Sequence, residues 1–152
     1  MSPDLDIDLM DSDGKYWPYK DSSFNIVYSK SFIEHLNDSV TYMSEAYRVL
    51  KPGGVIINLI PDWASNHKIF YDDYTHKTPF TVVSLQNIST AAGFINVKAF
   101  TFRQLPFTWK YWFLNTLCGM IAPLIPSKTE IKILRWSREL MLLGYGVKPD
   151  NK

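Results

Sequence analysis

Three side chains in this sequence could move protons if a fold brought them together: His35, Asp73 and His76. Asp72 and Asp73 sit just ahead of His76. A carboxylate beside an imidazole can fix one tautomer, leaving the other ring nitrogen to accept a proton from a hydroxyl. His35 either lines the mouth of a ligand site or packs and caps the start of a helix. The Asp72–His76 cluster either serves a substrate or orders its own loop, and His67 is a further candidate. The His/Asp/Asp grouping matches no specific metal-ligand spacing, so no metal is expected. Cys118 has no reactive motif around it and reads as a small buried hydrophobe rather than a nucleophile.

The elements that must carry these residues follow from the pattern of apolar positions. Leu5, Ile7 and Leu9 alternate with Asp4, Asp6 and Asp8, which predicts a short edge strand. A turn-rich stretch from Ser12 to Ser23 leads into Phe24–Tyr28, a β-prone run suited to an interior strand. Val40, Met43, Ala46, Tyr47 and Leu50 recur at helical spacing behind the N-cap candidates Asn37, Asp38 and Ser39. Lys51-Pro52-Gly53-Gly54 ends that helix, because proline breaks the bonding and glycine accepts positive φ. Val55–Ile60 is a second interior strand. Thr81 caps a helix bearing Leu85, Ile88 and Ala92, with Gly93 as its stop. Ile95–Phe102 and Glu139–Val147 complete the strands, although Gly144 and Gly146 weaken the second. Alternating strands and helices imply βαβ units, right-handed crossovers and an α/β class.

Composition narrows the function. The chain has 152 residues, 46% hydrophobic and 20% charged, which suits one domain with a packed core. A formal net charge of +1 gives no electrostatic reason to expect a nucleic-acid partner. A single cysteine fits a reducing, cytoplasmic compartment, and no signal peptide is visible. Aromatic residues make up 15% of the chain, and Trp109, Trp112 and Trp136 crowd its last third. Phe107 to Ile125 holds only Lys110 as a charge and, as a helix, would reach about 28 Å. It is expected to cover apolar surface. The alternatives are an interfacial membrane helix, aided by Lys128, Lys132, Arg135 and Arg138, or a spanning one.

A family resemblance enters at Pro18-Tyr19, the acidic turn after it, and Phe24-Asn25-Ile26-Val27-Tyr28. It continues through Phe32-Ile33-Glu34-His35-Leu36 and is most specific at Glu45-Ala46-Tyr47-Arg48-Val49-Leu50-Lys51-Pro52-Gly53-Gly54. Together with Asp72–Phe80 and Ala92-Gly93-Phe94, this text resembles the type 11 group of class I S-adenosylmethionine-dependent methyltransferases. The resemblance implies an incomplete Rossmann-like methyltransferase fold, mostly parallel with an antiparallel C-terminal strand. It also implies one partial domain over 1–152, with an apolar helical insertion at about 107–126. By the same resemblance, the backbone at Ser29, Lys30 and Ser31 meets the methionine part of S-adenosylmethionine. Asp8 and Leu9 meet the adenine, with Asp11 as the competitor.

One departure from the family is plain: no Gly-x-Gly pair follows an N-terminal strand, and the chain starts near the family's third strand. Two readings follow. The first is methyl transfer to a small-molecule, sugar, glycan or lipid-linked acceptor within a complete domain, with His35, Asp73 and His76 at the acceptor. The second is a catalytically silent module that binds cofactor weakly and associates with another chain, for instance as a homodimer through an exposed sheet edge. Peripheral membrane contact is compatible with either.

Overall fold

Four strands form one sheet in the computed structural model, which describes residues 13–126 and 128–150. In chain order they are β1 (Phe24–Lys30), β2 (Leu50–Pro61), β3 (Ile95–Arg103) and β4 (Leu140–Val147). In space the order is β1-β2-β4-β3. β1 and β2 pair in parallel, and β4 runs antiparallel to both of its neighbours. Thus β1, β2 and β3 point one way and β4 alone opposes them, giving the α/β, Rossmann-like sheet with an antiparallel C-terminal strand. The strand expected at Leu5–Leu9 lies outside the described residues.

Helix α1 (Ser39–Val49) starts where the Asp38 carboxylate accepts the Thr41 N–H at 2.9 Å. Its buried stripe runs through Tyr42, Met43, Ala46 and Val49. Val40, expected on that face, falls beyond the edge of the stripe and is exposed. The chain passes from α1 straight into β2. Residues 51–54, expected as a separate turn, bulge within that strand: the register with β1 jumps from Phe24↔Leu50 to Ile26↔Val55. Gly53 takes φ +74° there, and a Cβ on Gly54 would lie 2.8 Å from the Lys51 carbonyl.

Arg48 explains why the stretch before β1 can be irregular yet fixed. Its guanidinium donates to Glu45 Oε2 and to Asp21 Oδ1, each at 2.7 Å, and to the carbonyls of Trp17 and Tyr19. Glu45 Oε2 also accepts the Trp17 N–H at 2.8 Å, so Arg48, ion-paired with both Glu45 and Asp21, ties residues 17–21 onto α1.

A short helix, α2 (Trp63–Asn66), follows β2, and α3 (Val82–Ala91) starts at a capping box between Thr81 and Ser84. α1 and α3 cover one face of the sheet, where Ile56, Ile60, Leu85 and Leu142 are buried. The glycines of β4 serve this contact. A Cβ on Gly144 would meet Leu85 Cδ2 at 2.5 Å, and one on Gly146 would meet Phe94 Cβ at 2.9 Å. On the other face Tyr28 and Phe100 remain exposed, so among the described residues the molecule has two layers.

The apolar stretch near the C-terminus is not one helix. It forms α4 (Pro106–Lys110), α5 (Trp112–Ile121) and a 3-10 turn (Ala122–Leu124), and α6 (Lys132–Arg138) follows. Tyr111 adopts extended backbone between α4 and α5 and breaks the run. Arg103, at the end of β3, holds the group together: it donates to the Ser137 carbonyl at 2.7 Å and to Asn115 Oδ1. The Trp109 indole donates to the Arg103 carbonyl. Burial along this stretch is partial: Thr108 and Cys118 are buried, whereas Trp112 and Leu124 are 79% and 83% exposed. Among the described residues no helix is long and apolar enough to cross a membrane.

Candidate active site

β1 and β2 end side by side, and the loops that leave them meet beyond those ends. After β1, Ser31 turns the chain at φ +47° while its N–H donates to the Leu59 carbonyl at 2.7 Å. A 3-10 turn over Ile33–His35 follows. Its Glu34 carbonyl receives the N–H groups of Lys77 and Thr78 at 2.8 and 3.0 Å, which pins the loop after β2 against the loop after β1. In open α/β sheets this rim is where ligands bind.

The pinning brings His35, Asp73 and His76 into one cluster. Thr75 Oγ1 donates to Asp73 Oδ1 at 2.6 Å and lies 2.9 Å from His35 Nδ1. The hydroxyl proton is committed to the carboxylate, so the oxygen can only accept from the ring. His35 therefore carries its proton on Nδ1 and keeps a lone pair on Nε2. His76 Nδ1 lies 2.7 Å from the Phe70 carbonyl, an acceptor, which likewise leaves the lone pair on Nε2. The two rings stand 4.7 Å apart, and Phe70 packs on His76 at 4.4 Å. The Thr75 hydrogen bonds hold the Asp73 carboxyl below its ordinary range, so it is a stable anion beside both rings.

Glu34 belongs to this cluster, and although it lies in the Phe32–Leu36 stretch that carries the family resemblance, it is not among the site residues expected from sequence. Its side chain is 1% exposed, neither carboxylate oxygen has a hydrogen-bond partner, and the nearest opposing group is His35 Nε2 at 3.9 Å. Burial pushes its pKa up, against the opposing pull of nearby amides and of His35 and His76. One sequence signal could have found it: Glu34 is the sole acid inside the apolar run Phe32–Leu36. Asp72 is not part of the group and pairs with Lys128 at 3.1 Å. His67 also stands apart, with its Nδ1 3.2 Å from the Ala64 carbonyl.

The residues expected at the cofactor divide in three. Asp8, Leu9 and Asp11 lie outside the described residues. Ser29 and Lys30 do not follow the strand but form its last two positions. Ser29 is buried and its hydroxyl donates to Asn58 Oδ1 at 2.6 Å, so its side chain faces α1. Tyr42, whose phenol burial pushes up to about 12, shares that Asn58 oxygen at 3.4 Å. Lys30 and Ser31 are exposed at the rim. Two hollows open there. One of about 210 Å³ is lined by Ser31, Phe70, His76, Gln104 and Glu139 among others. The other, about 400 Å³, follows the outer edge of β1 past Trp17, Tyr28, Lys30 and Phe32.

Residues 2–58 match the sequence model of the family described as methyltransferase domain. A phosphoethanolamine N-methyltransferase 2 of Caenorhabditis elegans is 29% identical over 91 residues, 57% of this chain and 21% of that protein. An S-adenosylmethionine-dependent methyltransferase so named in Mycolicibacterium smegmatis, there qualified as "probable", is 42% identical over 45 residues, 30% of this chain and 18% of its own length. The chain thus spans about one fifth of the length of these curated relatives. Among solved structures, a Haloferax volcanii protein from the complex with the Trm112 methyltransferase activator superposes with a TM-score of 0.64 at 20% identity, covering 90% of this chain and 59% of that one. The Haemonchus contortus phosphoethanolamine N-methyltransferase 2 bound to S-adenosylhomocysteine gives 0.58 at 17%, covering 88% and 36%. At these identities the structural likeness speaks to the fold.

Proposed function

We propose, from the match of residues 2–58 to the methyltransferase domain family and the fold that accompanies it, that this chain is a class I S-adenosylmethionine-dependent methyltransferase and forms the acceptor side of a methyl-transfer site. One observation carries the reading: Ser31, which follows β1, and His76, from the loop after β2, line the same hollow. Methyl transfer needs an acceptor lone pair held in line with the methyl group, and modest help in removing the acceptor's proton. His76 Nε2, kept bare by the Phe70 carbonyl, is placed to take that proton from an N–H or O–H at the hollow. His35 stands behind it, and Asp73 steadies whichever ring becomes an imidazolium.

S-adenosylmethionine, when bound, supplies the methyl group on a sulfonium. The groove beside β1 fits its methionine end, because it is open, flanked by Lys30 and floored by Trp17 and Phe32. Asp8 and Leu9 remain proposed contacts to the adenine. The acceptor is a nitrogen or oxygen of a small molecule, sugar or lipid-linked compound. The N-methyltransferase activity for which the Caenorhabditis elegans relative is named favours an amine.

The test titrates the chain with S-adenosylhomocysteine while amide resonances are followed. Shifts centred on Trp17 and Ser29–Phe32, accompanied by Asp8 and Leu9, with affinity weaker than micromolar, are expected. Unmoved rim resonances at millimolar ligand would overturn the reading. With a responsive acceptor in hand, His76→Gln should slow transfer of labelled methyl about 100-fold while cofactor affinity stays constant. A second reading, a silent module completed by another chain, draws on β1: among the described residues it pairs on one side only, and Ile26 and Tyr28 are each 58% exposed. Absence of transfer together with a concentration-dependent sedimentation coefficient would favour it.

A further inference from the structure

We infer that Glu34, His35 and His76 form a binding site for one divalent transition-metal ion of the zinc class. The inference stands on the geometry alone and does not depend on methyl transfer. One ligand atom from each of the three residues lies within 4.8 Å of the other two. Zinc binds imidazole nitrogen and carboxylate oxygen at about 2.0–2.2 Å, so an ion among them would draw these atoms to roughly 3.4 Å of one another. Small side-chain rotations supply that closure. Two imidazoles and one carboxylate are the ligand set of open zinc sites, which keep a position for water or substrate.

Three features separate this group from a chance meeting of polar residues. First, a metal ligand must present a lone pair, and in each ring the nitrogen free to do so is Nε2. Second, the opposite nitrogens are tied down in the manner of metal-bound histidines. His76 Nδ1–H donates to the Phe70 carbonyl, and His35 Nδ1–H donates to Thr75 Oγ1, which in turn donates to Asp73. Third, Glu34 is a buried carboxyl with both oxygens unpartnered. Such a group calls for a cation or a proton, and the rings beside it keep their lone pairs and bring no positive charge when neutral. The nitrogen donors argue against magnesium and calcium, which take oxygen ligands. Access is open, because His76 lines the hollow at the rim. An ion here would take the lone pairs that otherwise accept a proton, and would present its open position to the same hollow.

The experiment strips the intact chain with a chelator and titrates it with Zn²⁺ by calorimetry and with Co²⁺ by visible absorption. Expected are one Zn²⁺ per chain at micromolar affinity or better, Co²⁺ bands of a four- or five-coordinate site, and a rise in Tm with Zn²⁺. Glu34→Gln and His76→Gln should each weaken binding at least 100-fold, and His67→Gln should leave it unchanged. Thr75→Val keeps every ligand but frees the His35 tautomer, and should weaken binding about 10-fold. If either ligand variant does not fold, Thr75→Val decides, and unchanged affinity there overturns the site. No uptake by the parent chain, or uptake indifferent to Glu34→Gln and His76→Gln, also overturns it. Methyl transfer that persists without zinc uptake removes this inference alone, and zinc uptake without methyl transfer leaves it standing.

Discussion

Ionising Glu34 is costly in the absence of a cation, because its carboxylate is buried and the nearby amides and imidazoles only partly offset that burial. The stability consequence has a definite sign. A folded-state pKa above the ordinary value of 4.5 means that the native state holds this proton more tightly than the unfolded chain. Its contribution is complete below pH 4.5 and is lost as pH rises toward the folded value, at up to about 1.4 kcal/mol per pH unit. Urea denaturation from pH 4 to 8 with chelator present should therefore show the parent chain losing stability relative to Glu34→Gln as pH increases. A constant difference between the two would show that the carboxyl is solvated. Asp73 has the opposite sign: its pKa lies below 3.8, so what it contributes is lost only in stronger acid and does not overlap this window. His35, Asp73 and His76 were legible from the sequence because imidazoles and carboxylates near predicted strand ends stand out by type. Glu34 was not, since its importance comes from burial. That burial depends on the Glu34 carbonyl meeting the N–H groups of Lys77 and Thr78, a contact between distant loops. Ser29 sits at a strand end, as its place in the sequence suggested, and alternation turns its hydroxyl inward to Asn58 while its backbone stays at the rim.

β4 shows how an element can be readable and its composition still opaque. Gly144 and Gly146 look like strand weakeners, yet each marks a point where Leu85 of α3 or Phe94 beyond it leaves no room for a Cβ. Gly144→Ala should destabilise by about 1–3 kcal/mol through overpacking against Leu85. Leu85→Ala alone should cost about 2–5 kcal/mol through its cavity. The double variant should cost clearly less than the sum, because the new methyl enters the space that Leu85 leaves. Thermal denaturation of the three variants measures this, and additive losses would mean that the two sites do not touch. The helices α1 and α3 were legible at their starts, since Asp38 and Thr81 are strong caps with polar residues three positions on. The Phe107–Ile125 stretch was not. Its composition is that of a buried helix, but the break at Tyr111 and the contacts that Arg103 makes with α5 and α6 from the end of β3 leave no mark in the apolar pattern.

At the level of the whole molecule, the sheet depends on β4 lying between β2 and β3, which have no contact ladder of their own. A chain stopped after Arg138 should lose the sheet as a unit rather than by one strand. Circular dichroism and a collapsed urea transition would report this, whereas a residual cooperative transition would show that β1 and β2 fold with α1 alone. The fold class was legible because strand and helix patterns alternate along the chain, and pairing order was available only through family likeness. The place of β4 also sets a schedule. During synthesis β2 and β3 leave the ribosome before β4 and must wait, each with an open edge, until Leu140–Val147 arrives to join them. Over that interval the nascent chain is at its most adhesive, so its yield in a cell should depend on chaperone attendance more than its final stability suggests.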